Sequence, residues 1–144
     1  MSALADHIVS GYDADLNALN AQISEMGSLT ETMLSDVIRS LNKRDNELAE
    51  AVIKQDSKVN RLQREVDENS MRIMALRHPM ASDLRRVIGA VRVANDLERV
   101  GDLSEGVAKR TLSLNEVDRI SHAKGVARMG KMVKAQLSQA LDAL

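Results

Sequence analysis

A chain of 144 residues is one domain's worth of polypeptide, and 20 Lys and Arg against 21 Asp and Glu leave a formal charge of −1, which excludes a bulk nucleic-acid binder. No Cys excludes disulfides, thiolate metal sites and thiol catalysis; no Phe, no Trp and a single Tyr, Tyr12, exclude a base-stacking surface and a β-sandwich or barrel. No apolar run approaches the ~20 residues that span a bilayer, and Met1 to Ser10 carries no secretory signal pattern, so a cytoplasmic, all-α protein is expected.

Apolar residues recur at alternating spacings of three and four, the bundle period. The first helix is predicted from near Ser10 to about Leu41, with a seam of Leu16, Leu19, Ile23, Met26, Thr30, Met33, Val37 and Leu41. Asn42-Lys43-Arg44 connects it to a second helix, for which Asp45 is a suitable N-cap and Glu47 a favourable first-turn acid. The second seam reads Leu48, Val52, Gln55, Val59, Leu62, Val66, Asn69, Ile73 and Leu76. Arg77-His78-Pro79-Met80 turns the chain, because the residue before proline is pushed out of the helical region. A third helix follows from Ala81 or Ser82 to about Leu112, with a seam of Leu84, Val87, Val91, Ala94, Glu98, Gly101, Glu105, Ala108 and Leu112. Asn115, with Asp118 behind it, is placed to cap a fourth helix that continues to Leu144. Short connections make neighbouring helices antiparallel, so the first three form an up-down-up bundle.

Ile23 to Leu41 and Val126 to Leu144 align at an offset of 103. Met26-Gly27 then falls on Met129-Gly130, Leu34 on Leu137, Ser35 on Ser138, Ile38 on Leu141 and Leu41 on Leu144. Residues 1–113 therefore form one three-helix repeat, and 114–144 the first helix of a second, truncated repeat. The apolar stripe of that helix needs cover. It either folds back on the bundle or pairs with another chain, and a dimer or larger oligomer is expected.

The third helix holds the chemistry. Glu98 and Asp102, four apart, share a face, and their helical neighbours supply no cation to Glu98. Reflection through Pro79, with partner numbers summing to about 158, sets Asp56 opposite Asp102 and Asn60 opposite Glu98. Four oxygen-bearing side chains at one height suit Mg, Mn, Fe or Zn. Interhelical ion pairs with Lys54, Lys58 and Arg61 are the commoner arrangement and stay open beside the metal. His7, His78 and His122 are isolated, and none completes the Glu-x-x-His motif of di-iron bundles. Arg85 and Arg86 fall where a helix dipole disfavours cations, which marks either a docking surface or a solvated face. The Met residues at 26, 33, 71, 74 and 80 read as core filler, and Gly101 as room for a bulky ligand. No nucleophile–base pair or phosphate cradle is visible.

Arg77-His78-Pro79-Met80-Ala81-Ser82-Asp83-Leu84-Arg85-Arg86, followed by Asn95-Asp96-Leu97-Glu98-Arg99-Val100-Gly101-Asp102, resembles the PhoU family of phosphate-transport regulators. The likeness extends to Met26-Gly27, to Arg44-Asp45 with Glu47-Leu48-Ala49, and to the stretch around Asp56, Val59 and Leu62. It implies two tandem three-helix repeats, of which this chain matches the first and one further helix. It also implies a cytoplasmic, non-enzymatic adaptor that helps shut off phosphate-starvation signalling by linking the phosphate transporter ATPase to a membrane sensor histidine kinase. Such an adaptor meets the membrane only through its partners, and with no phosphate cradle in the residues indirect sensing is expected. Some members bind metal through paired Glu/Asp-x-x-x-Asp motifs on adjacent helices. Here one motif is Glu98 and Asp102, and the other is Asp56 and Asn60, with Asn in place of an acid. A metal-dependent carboxylate enzyme and a purely structural helical oligomer are the alternatives.

Overall fold

The three-and-four spacing becomes four α-helices: α1 (Ser2–Lys43), α2 (Asn46–Arg77), α3 (Ala81–Asn115) and α4 (Ala123–Asp142). A computed structural model describes residues 2–118 and 123–144, with side chains from 11 to 118 and from 125 to 144. The first three helices pack pairwise on one another, and α4 packs on α1. None of the described helices is long and apolar enough to cross a membrane.

The α1 seam is the expected one as far as Val37; at its end Ser40 is buried in place of the half-buried Leu41. Leu16, Leu19, Ile23, Met26, Met33 and Val37 are buried. Thr30 joins them because its hydroxyl donates back to the carbonyls of Met26 and Gly27 at 2.9 and 3.0 Å, which satisfies a buried polar group. The helix itself begins at Ser2 rather than near Ser10.

The other two seams depart from expectation by one residue. On α2 the buried positions are Ala49, Val52, Asp56, Val59, Leu62, Val66, Ser70 and Ile73, so Asp56 and Ser70 point inward where Gln55 and Asn69 were expected. Asn69 instead donates to Gln22 Oε1 of α1 at 3.0 Å. On α3 they are Val87, Ala90, Ala94, Leu97, Gly101, Ser104, Ala108 and Thr111. Six of these eight are small, and small side chains let α3 lie close to its neighbours. The larger Leu84 and Val91 sit at the margin instead.

Both corners use left-handed residues. His78 (φ 46°) ends α2, where a left-handed residue commonly closes a helix, rather than the extended form expected before proline. Met80 is extended and Ala81 (φ 50°) opens α3. Three of the methionines expected as filler, Met71, Met74 and Met80, lie exposed around this corner, Met80 at 81 %. At the other end Asp45 caps α2 as expected, accepting from the Leu48 amide at 2.9 Å. Arg44 before it (φ 57°) reaches across the bundle. Its Nη2 donates to the carbonyls of Leu114, Asn115 and Val117 at 3.1, 2.9 and 2.6 Å. These acceptors lie at a helix C-terminus, where partial negative charge collects. Asn115 thus belongs to the end of α3 and does not cap α4. Residues 119–122, with the isolated His122, lie outside the described residues, as does the side chain of His7.

Of the two covers expected for the fourth helix, the structure takes the first: α4 folds back on α1 of its own chain. Leu137 and Leu141 reach the core, and Lys134 Nζ donates to Ser35 Oγ at 3.1 Å. The face of α4 turned away from α1 stays bare.

Truncating Arg44 to Ala removes the two Nη2 hydrogens that three carbonyls share. We expect a loss of about 1–3 kcal/mol in urea unfolding and faster amide exchange across residues 112–117 than elsewhere in α3.

Candidate functional site

The antiparallel register inferred by reflection is present. Gln63 of α2 donates to Asn95 Oδ1 of α3 at 3.1 Å, and their numbers sum to 158. Six residues further along α3, Gly101 lies against α2. A Cβ there would stand 3.3 Å from Val59 Cγ1 and 3.4 Å from Asp56 Oδ1. Glycine eases this approach, and the space is filled by Val59 and Asp56. It does not admit the bulky ligand that the sequence allowed for.

Asp56 is the buried member of the cluster, 8 % exposed in a seam of Val52, Val59 and Gly101. Its Oδ2 accepts from Asn60 Nδ2 at 2.7 Å, while its Oδ1 is buried without a partner. Burial, then the charges of Asp102 and Glu105, push its carboxyl above the usual range, against the opposing pull of Asn60 and Lys109. Glu98 is half-buried, and it too is raised, by burial and then by Asp102 and Asp56. Asp102 is exposed.

The ion pairs expected to neutralise this cluster form elsewhere. Lys58 pairs with Glu25 of α1 at 3.0 Å, and Arg61 with Glu65 at 3.5 Å. Lys109 pairs with Glu105 at 2.6 Å on the edge of the site. Asp56, Glu98 and Asp102 have no ion pair among the described residues. Oxygen donors and an unpaired, buried Oδ1 fit one hard divalent cation by their chemistry. They do not fit a multinuclear cluster. Among the described residues no three Asp, Glu, His or Cys side chains come close enough to hold an ion, and Asn60 spends its amide on Asp56.

Arg85 and Arg86 are exposed on the first turns of α3, far along the helix from the acids. Arg86 reaches Asp83 only at 3.9 Å, and Arg85 has no ion pair among the described residues. Arg86 also lines an open cavity of about 610 Å³ between α1 and α3, with Ser24, Ser28, Glu31, Val93 and Leu141. The sequence pattern did not foreshadow that cavity, because it forms only where the C-terminal end of α4 closes over α1.

The architecture is that of a long antiparallel helical bundle with an acidic seam on one helix pair and an arginine-bearing corner at one end. Residues 23–111 match the family model described as the PhoU domain, and the chain belongs to the PhoU family. The phosphate-specific transport system accessory protein PhoU homolog of Caulobacter vibrioides is 38 % identical over 141 residues, covering 97 % of this chain and 61 % of that protein. The homolog from Rhizobium meliloti is 40 % identical over 138 residues, 94 % of this chain and 58 % of its own length. The crystal structure of PhoU from Pseudomonas aeruginosa superposes with a TM-score of 0.88 at 34 % identity, covering 92 % of this chain and 64 % of that one. The chain thus spans about three fifths of the relatives it matches.

A carboxyl whose pKa is higher folded than unfolded favours the folded state in its protonated form. The stability penalty of ionised Asp56 is therefore full at neutral pH. It fades as pH falls through the raised folded value towards the unfolded value near 3.9. Asp56→Asn should raise stability at pH 7 by about 1 kcal/mol. In thermal melts from pH 7 to pH 4 its advantage over wild type should shrink steadily.

Proposed function

We propose that this chain is a non-enzymatic cytoplasmic accessory in phosphate transport that restrains phosphate-starvation signalling by linking the transporter's ATPase subunit to a sensor histidine kinase. The observation that carries this is the family match over 23–111, which includes both the Pro79–Arg86 corner and the Asp96–Asp102 stretch. The names of the relatives, accessory proteins of the phosphate-specific transport system, support the same direction. Arg85 and Arg86 are the contact residues of this reading. They stand at the corner where Met71, Met74, Leu76 and Met80 are also exposed, and arginines beside bare apolar side chains favour protein contact.

Affinity capture from phosphate-replete cells tests it, with the ATPase and the kinase as the proteins sought. Wild type should enrich at least one of them, and Arg85→Glu/Arg86→Glu should lose most of that enrichment while keeping its helicity. Enrichment of neither by wild type sinks the adaptor reading.

The unpaired Oδ1 of Asp56 supports a second element: a single Mg, Mn, Fe or Zn ion held first at Asp56, with Glu98 and Asp102 drawn in as it binds, because the three do not stand close enough to hold an ion as they are, and with the Asn60 carbonyl as a further donor. Bound there, it would neutralise the crowded acids. Mn²⁺ or Zn²⁺ should then raise the melting temperature of wild type and leave Glu98→Gln/Asp102→Asn unmoved. An equal response from both proteins rejects the site.

A further inference from the structure

The outer groove between α2 and α3 changes character along its length. Gln63 closes it at one end, donating to Asn95 of α3 at 3.1 Å and to Asp67 of its own helix at 2.6 Å. From Asp67 the same edge of α2 continues to Met71 and Met74 at the spacing of a helix face. From Asn95 the facing edge of α3 runs back through Val91, Ile88 and Leu84 at the same spacing. In this register Met71 and Met74 stand level with Val87 and Leu84. Towards the Pro79 corner both rims are therefore apolar. Met71, Met74 and Ile88 are exposed at 58, 37 and 41 %, while Leu84 and Val91 are half-buried. Helix α4 touches neither α2 nor α3 among the described residues, so this surface owes nothing to it.

Two arginines border the apolar part. Ile88 lies three residues after Arg85 and four before Arg92, which makes both its neighbours on the helix surface. Neither arginine has an ion pair among the described residues, although exposed Asp96 stands four residues beyond Arg92. Arg86 takes the other side of α3 and lines the cavity against α1.

We propose that this groove docks an acidic amphipathic helix of a partner protein, whose apolar side chains seat on Met71, Met74 and Ile88 and whose carboxylates pair with Arg85 and Arg92. It rests on the corner being the contact face of the adaptor and names the segment that face takes. Other peptide modes lack a footing. An added strand needs a sheet edge, and the described elements are all helices. A polyproline segment needs an aromatic-lined groove, and the single aromatic, Tyr12, lies on α1. A phosphate needs converging arginines, whereas Arg85 and Arg92 are seven residues apart. That is about 10.5 Å along the axis, or two turns. Acids at i and i+7 of a partner helix match the interval, with apolar residues at i+3 and i+4 turned to the methionines. Methionine surfaces adapt readily to such helices. A planar anionic membrane fits less well, because exposed Glu68 and Asp96 on the two helices repel a continuous negative surface.

Fluorescence anisotropy on the full chain tests the fit. The probe is an amphipathic peptide of about five turns, with Glu at i and i+7 and Leu at i+3 and i+4; two companions carry Gln or Lys in place of Glu. Wild type should bind the Glu peptide at least about tenfold more tightly than the Lys peptide. Arg92→Glu should invert that order, and Ile88→Ser should weaken all three peptides, each variant keeping its helicity. Lys54→Glu, the same charge change at an exposed position on the back of α2, should bind as wild type does. A benzophenone at one Leu should crosslink to Met71 or Met74. Equal affinity for the Glu and Lys peptides, no binding of any peptide at about 1 mM, crosslinks confined to α4, or a preference for phosphatidylglycerol vesicles over the Glu peptide overturns the proposal. Capture from cells separates this outcome from the adaptor reading: if Ile88→Ser/Arg92→Glu enriches the ATPase or the kinase as well as wild type does, the groove is rejected and the adaptor stands.

Discussion

Every other helix of this protein leans on α1, and α1 serves them with two different surfaces. Its inner seam is built of large side chains, with Leu19, Met26 and Met33 almost wholly buried. The inward surface of α3 is built of small ones, Ala90, Ala94, Ser104 and Ala108, with Gly101 turned to α2. Large residues on one helix fill the volume that small residues leave on another, which is how an interior without aromatic rings reaches close packing. Met suits this task because its unbranched chain adapts to irregular gaps. The outer surface of α1 meets α4 through glycines, Gly27 against Leu141 and Gly130 against Ile38, a different contact that works by backbone approach rather than by filling.

The acidic site is a by-product of the same close packing and also its cost. Gly101 brings α3 against Asp56 and Val59. A carboxylate in that seam loses water and gains only one hydrogen bond, from Asn60. Nearby Lys58 and Arg61 find acids elsewhere, on α1 and one turn further along α2. What remains are Asp56 and Glu98, both raised first by burial and then by neighbouring acids. Such a cluster relieves its repulsion by taking up a proton or a cation.

Much of this was legible in the sequence. Helix number, the corner at Pro79, the α1 seam and the α2–α3 register all follow from spacing, because period and antiparallel reflection are geometric. The facing of α2 and α3 did not follow. A seam read from Leu, Val and Ile tracks volume, while α3 turns its small residues inward, so Leu84 and Val91 led one residue astray. For the site, the sequence identified the acids and their shared height. It did not show that Asp56 alone is buried, because the one-residue rotation decides which of Gln55 and Asp56 points in. Exposure of Met71, Met74 and Met80 escaped for a related reason: methionine carries no periodic signature that separates filler from surface. The resemblance to the PhoU family, carried by the corner and the acidic stretch, holds across the matched span.

The glycine contacts that seat α4 have a consequence for cooperativity. Each of the first three helices touches both of the others, so that opening any of them exposes core on both partners. Among the described residues α4 touches α1 alone, and most of its apolar surface is exposed. A unit attached along one side opens at far lower free energy than the core it rests on. The chain is therefore two cooperative units on one thread: a bundle that melts as a whole, and a helix that detaches and returns many times for each global unfolding.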